Sequence, residues 1–162
     1  MKKLIVVFIL FAIFNFLLGP ALAKESENTD THQLIVLGIE YCKKAGSVWS
    51  DYKAHEYCTE ALKIFHRVFK DDRLTKQELV EVYINQGACY GLMRYYRKAA
   101  DSFTEALKID SNNVMALFNR AINYANLKKI EEAVDDLQKV IELDSQGQFA
   151  KKANKLLDML FF

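Results

Sequence analysis

The residues whose types and spacing could do chemistry sit around "HEYC", residues 55–58. His55 and Cys58 are three apart, which puts both on one face of a helix. Cys42 precedes them, and an imidazole with two thiolates is a ligand set that zinc accepts. The set is thin. No Cys-x-x-Cys pair occurs, and the next histidine, His66, lies eleven residues beyond His55. No haem-attachment motif, phosphate loop or Ser/His/Asp arrangement stands out in the chain. The acidic run "EEAVDD" (131–136) has the spacing of a solvated helix face. The sequence therefore predicts no catalytic residue, no metal and no cofactor. A thiol- or metal-dependent accessory protein using Cys42, His55 and Cys58 is the alternative to a non-enzymatic protein.

What must position these residues is a helical framework. The chain has 162 residues, 51% of them hydrophobic, and a single proline, Pro20. From Gln33 to Leu160 apolar residues recur at helical spacing almost without interruption. Glycines are few and strand signals are weak, so the expected class is all-α. The first 23 residues stand apart: Lys2 and Lys3, an apolar run from Leu4 to Leu18, Gly19-Pro20, then Ala21-Leu22-Ala23. That is the pattern of a secretory signal peptide cleaved after Ala23. An uncleaved membrane anchor is the minor alternative, because the run is short of the roughly 20 residues that cross a bilayer. No cysteine adjoins the cleavage site, so lipid attachment is not expected there. Export implies the periplasm or secretion.

The formal charge is +1, and losing Lys2 and Lys3 makes it −1. A near-neutral chain has no basic field for nucleic acid. The short basic stretch "RYYRKA" (94–99) reads as a solvated helix turn.

An internal repeat organises the rest. Ala133 follows Ala99, Leu137 follows Phe103 and Asp144 follows Asp110, each by 34 residues. Ala121 follows Gly87 and Tyr124 follows Tyr90 by the same interval. Helix–turn–helix units at this period resemble the tetratricopeptide repeat family. One unit supplies Tyr83, Gly87, Tyr90, Ala99, Phe103 and Ala106 to the family's core pattern. The next supplies Leu117, Ala121, Tyr124, Ala133 and Leu137, with Val140 last. Ser111 and Ser145 stand where the family usually has proline. The small residues permit close helix crossing, and a larger side chain at Ala99 would overpack the site.

An earlier, degraded unit carries Gly38, Tyr41, Ala54 and Ala61 at matching spacings. Gly38 to Ala54 is four residues longer than Gly87 to Ala99, and the excess is expected to lengthen the turn around "GSVWS" (46–50). The second helix is expected to extend through 62–70, with Ile64, Phe65, Val68 and Phe69 as its apolar face. Thr75 with Glu78 has the form of a capping box opening the next helix.

The resulting organisation is a signal peptide at 1–23, a flexible segment at 24–31, and a degraded unit at 32–70 with a long turn and extended second helix. Full units follow at 75–112 and 113–146, and a capping helix at 147–162. The tail carries an apolar stripe of Phe149, Ala153, Leu156, Leu157 and Leu160. Phe161 and Phe162 either fold back on the repeats or form a homodimer contact.

The resemblance implies a right-handed α-solenoid of about three units whose first helices line a concave groove for a partner peptide or helix. It names the groove residues as Ile35 and Ile39 in the degraded unit, with His32 near the end. In the middle unit they are Glu81, Ile84, Ala88 and Leu92, and in the last Met115, Phe118, Ile122 and Asn126. One subgroup of the family clamps a terminal carboxylate with lysine, arginine and asparagine. Asn85 and Asn119 are present here, but the basic set is absent. An apolar or helical ligand therefore suits this groove better than a charged one. The functional expectation is an exported, non-enzymatic protein–protein interaction module of unknown partner.

Three cysteines allow one disulfide at most. Cys42–Cys58 would cross the first hairpin, but the two are not equidistant from its turn. That favours Cys58–Cys89, which would tie the degraded unit to the middle one. Three reduced core cysteines remain an equal alternative.

Overall fold

The computed structural model describes residues 31–161. The signal peptide, most of the 24–31 segment and Phe162 lie outside the described residues. The chain divides into two units, Met1–Leu34 and Ile35–Phe162. Of the first, residues 31–34 are described, and they are helical.

All secondary structure among the described residues is helical. The helices are α1 (31–47), α2 (Asp51–Val68), α3 (Lys76–Leu92), α4 (Tyr96–Ile109), α5 (Val114–Asn126), α6 (Ile130–Leu143) and α7 (Gln148–Phe161). Their ends follow from local chemistry. Thr75 caps α3 by accepting from the Glu78 amide at 3.2 Å, while the Glu78 carboxylate accepts from the Thr75 amide at 2.9 Å. This is the capping box that the sequence predicts. Asn113 accepts from the Ala116 amide at the start of α5. The Asp144 carboxylate accepts from the Phe149 and Ala150 amides at the start of α7. The turns after α3 and α5 each place one residue at positive φ, Arg94 and Lys128, both at 62°. These residues are 34 apart, so the repeat extends to the backbone of its turns.

Each helix packs against the next in sequence from α2 to α7. The core between them holds Ala99, Phe103, Ala106, Leu117, Ala121, Ala133, Leu137, Val140 and Ala153, all buried. Gly87 explains the need for small residues at the crossings. A Cβ there would lie 2.8 Å from the Phe103 ring, so the ring lies directly on the α3 backbone.

The degraded unit departs from the expected long turn. Only residues 48–50 separate α1 from α2, as many as the three (93–95) between α3 and α4. The four extra residues instead continue α1 beyond Gly38. Four residues are close to one helical turn, so the apolar face keeps its phase. The added turn buries Ala45, and an ion pair from Lys44 to Glu40 at 2.8 Å supports its outer face. Ala54, Ala99 and Ala133 are each the fourth residue of their helix. By that register Cys58 occupies the place that Phe103 holds in α4. The ring over Gly38 comes instead from Phe65, further along α2, where a Cβ on Gly38 would meet it at 2.5 Å. Because α1 is a turn longer, Gly38 lies further from its turn than Gly87 does, and its partner must as well. Ile64, Phe65 and Val68 are buried on the extension, and Phe69 stacks on Tyr83 with ring centroids 4.8 Å apart.

Candidate functional site

The first helices of the units share one side of the array. The backbone of α3 comes close to that of α5, and α5 to α7, whereas the backbones of α4 and α6 stay further apart. Helices crowd on the inner side of a curve and spread on the outer side, so α3, α5 and α7 line the inner side. The expected groove positions on α3 and α5 pair at the 34-residue interval: Glu81 with Met115, Ile84 with Phe118, Ala88 with Ile122, and Leu92 with Asn126.

These positions differ in accessibility. Leu92 at 48% and Met115 at 47% exposure are open apolar side chains. Glu81 and Asn126 are also exposed. Ile84, Ala88, Phe118 and Ile122 are half-buried, and Ile84 and Phe118 also pack against the core. Phe118 is partly covered by α7: its ring meets the Phe149 ring edge-on at 5.6 Å. Four of the eight expected groove positions on α3 and α5 are thus only partly accessible. Ile39 is half-buried. Ile35 needs correction. It is 2% exposed and belongs to the core, so it lines no surface. His32 is exposed. The repeat-core positions Gly38, Ala61, Gly87, Ala99, Phe103, Ala106, Leu117, Ala121, Ala133 and Leu137 are buried, while Tyr41, Ala54, Tyr83, Tyr90 and Tyr124 are half-buried.

A second feature was not legible in the sequence. Arg120 on α5 reaches Asp136 on α6 with Nε to Oδ2 at 2.8 Å and Nη2 to Oδ1 at 2.7 Å, and donates through Nη1 to Thr104 Oγ1 on α4 at 3.1 Å. The Asp136 carboxylate holds the guanidinium even more firmly charged than usual, against the opposing cost of burial. The bidentate pair ties α5 to α6 within one unit, and the bond to Thr104 joins that unit to the one before it, beside a cavity of about 270 Å³ lined by Thr104, Leu107, Lys108, Ser111, Leu117, Arg120, Asp136 and Lys139. Residues 16 apart carry no periodic signal, so only the packing of α4, α5 and α6 reveals the link.

The ligand set Cys42, His55 and Cys58 is not assembled. His55 is exposed, its ring 6.4 Å from that of Tyr95, while Cys58 is fully buried. Although they share a helix, the three-residue step carries one to solvent and the other to the core. No group of three metal-ligating side chains is placed to hold a metal among the described residues. What the fold brings together is the cysteines. Cys42, Cys58 and Cys89 are all buried free thiols. The Cys89 thiol is hydrogen-bonded with both Cys42 and Cys58, which, with burial, pushes it far above the ordinary thiol range. The hydrogen bond from Cys89 lowers Cys58, against burial. The expected neighbours Cys58 and Cys89 therefore meet, as thiols, with Cys42 as an unexpected third.

No helix among the described residues is long and apolar enough to cross a membrane.

Comparison with known proteins matches residues 80–113 and 114–146 each to the tetratricopeptide repeat. Sperm-associated antigen 1 of Mus musculus is 36% identical over 70 residues, 43% of this chain and 8% of that protein. The chain spans less than a tenth of the curated relatives it matches. A T3SS complex from Aeromonas hydrophila superposes with a TM-score of 0.64 at 21% identity, covering 86% of both chains. PcrH, solved in complex with the chaperone binding region of PopB, superposes at 0.61 and 20% identity, covering 78% of this chain and 94% of that one. At these identities the structural likeness is one of fold.

Proposed function

Because this chain is a tetratricopeptide-repeat protein, we propose that it is a non-enzymatic interaction module. Its partner is an apolar peptide or amphipathic helix laid along the inner side of α3 and α5. The observation that carries this reading is the pair of open apolar side chains, Leu92 and Met115, together with the half-buried Ile84, Ala88, Phe118 and Ile122. Apolar area offered at the surface marks a binding face, and such side chains recognise a ligand by the area they bury rather than by charge. The PcrH structure, which holds a segment of another protein, supports a peptide-like partner. The leader-like residues 1–23 support export, to the periplasm or beyond, as part of the same reading. The intact mass of the protein purified from its own cells distinguishes a removed leader from a retained anchor.

The test uses Leu92→Glu/Met115→Glu, because both side chains are exposed and their loss spares the core. Amphipathic and extended apolar peptides are screened by fluorescence anisotropy against the native protein and the variant, with circular dichroism as the folding control. Binding to the native form that the folded variant loses is the expected result. Equal binding by both would remove the inner face from the mechanism. Crosslinking of the native form in cell extract, with the variant as control, then identifies the natural partner.

A further inference from the structure

Three cysteines from three helices converge on one point. In α3 the carbonyl of Asn85 is the acceptor that helical geometry assigns to the amide of Cys89. The Cys42 thiol of α1 donates to that same carbonyl at 3.5 Å, which places its sulfur one helical turn from the Cys89 backbone. Cys58 arrives from α2 in the place that an aromatic ring fills in the next unit. The Cys89 thiol lies in hydrogen-bonding reach of both others. They differ in access: Cys58 and Cys89 are fully buried, while Cys42 keeps 7% of its surface.

We propose that Cys42, Cys58 and Cys89 form an oxidisable trio in which a low-molecular-weight disulfide such as oxidised glutathione joins Cys42 to Cys89, linking α1 to α3 and leaving Cys58 a thiol. The Cys42 thiolate attacks one sulfur of the small disulfide, forming a mixed disulfide and releasing the first small thiol. The Cys89 sulfur then attacks the Cys42 sulfur and expels the second. The Cys89 proton leaves with that second small molecule, which departs as a thiol, and the first takes up from solvent the proton that Cys42 lost on ionising. Two electrons leave the protein's sulfurs and reduce the small disulfide to two thiols. The roles follow from position. Cys42 alone of the three keeps any exposed surface, and Cys89 is the cysteine one helical turn along from the Asn85 carbonyl to which Cys42 donates. Cys58 takes no part in the new bond and stays a thiol. This proposal stands apart from the peptide-binding reading.

The experiment treats the folded, full-length protein with oxidised glutathione, follows its fold by circular dichroism, alkylates the remaining thiols after denaturation and maps the linked peptides. The expected product contains a Cys42–Cys89 link and one alkylated cysteine, Cys58. Cys58→Ser is expected to form the same link, and Cys42→Ser to keep both remaining thiols. A Cys58–Cys89 link, a lasting mixed disulfide at Cys42, or three unreacted thiols in the native protein would each overturn the proposal. The native mapping decides the matter even where a variant folds poorly.

Discussion

Gly87→Ala pits two well-characterised effects against each other. In the interior of a helix, alanine is favoured over glycine by about 1 kcal/mol. At position 87 the new methyl carbon would lie 2.8, 2.9 and 3.0 Å from three atoms of the Phe103 ring. Carbon atoms rest at about 3.5–4.0 Å, so ring or helix must shift. Phe103 is enclosed by Ala99, Ala106 and their neighbours and has little room to retreat. Overpacking of this kind costs about 1–3 kcal/mol, and the enclosed ring points to the upper half of that range. Less the helix preference, the expected net loss is about 1–2 kcal/mol. At this chain length that corresponds to a fall in Tm of about 2–4 °C per kcal/mol. Stability is measured by urea unfolding, with the midpoint and slope both reported. Phe103→Leu supplies the second arm of a double-mutant cycle. With the ring gone, Gly87→Ala should turn neutral or stabilising, giving a coupling of about 1–3 kcal/mol. Gly46→Ala is the control. Nothing lies within 4 Å of its added carbon, and the change should be neutral or favourable by up to about 1 kcal/mol. If Gly87→Ala stabilises the protein as Gly46→Ala does, the close ring-on-backbone crossing is not what selects glycine at position 87.

Two further stability measurements probe other contacts. Arg120→Met strands the buried Asp136 carboxylate and should cost about 3–5 kcal/mol, while Arg120→Met/Asp136→Leu should recover most of the loss. A double variant as unstable as the single one would show that the pair is not an isolated electrostatic unit. Thr75→Ala removes one half of the capping box at α3 and should cost about 1 kcal/mol, read as a lower urea midpoint at unchanged slope. No shift would mean that water satisfies the Glu78 amide equally well.

The sequence by itself determined the helical class, the 34-residue period and the position of most core residues. It also announced the capping box at Thr75 and Glu78. These signals are short-range. A helix face is written in steps of three and four, a cap in a step of three, and a repeat in one fixed interval. None depends on where two helices cross. Tertiary structure decided the rest because crossing points do. The four extra residues after Gly38 could lengthen either a turn or a helix, and α1 took them as one helical turn. That choice moved the ring over Gly38 to Phe65 and left a small cysteine, Cys58, in the usual aromatic position. It also brought Cys42, Cys58 and Cys89 together across three helices. Ile35 obeys the same periodicity as the inner-side residues, but it is buried. Phe118 reads as open until Phe149 of α7 covers one edge. Periodicity assigns a residue to a face of its own helix, and only the neighbouring helices decide whether that face meets solvent, a partner or the core.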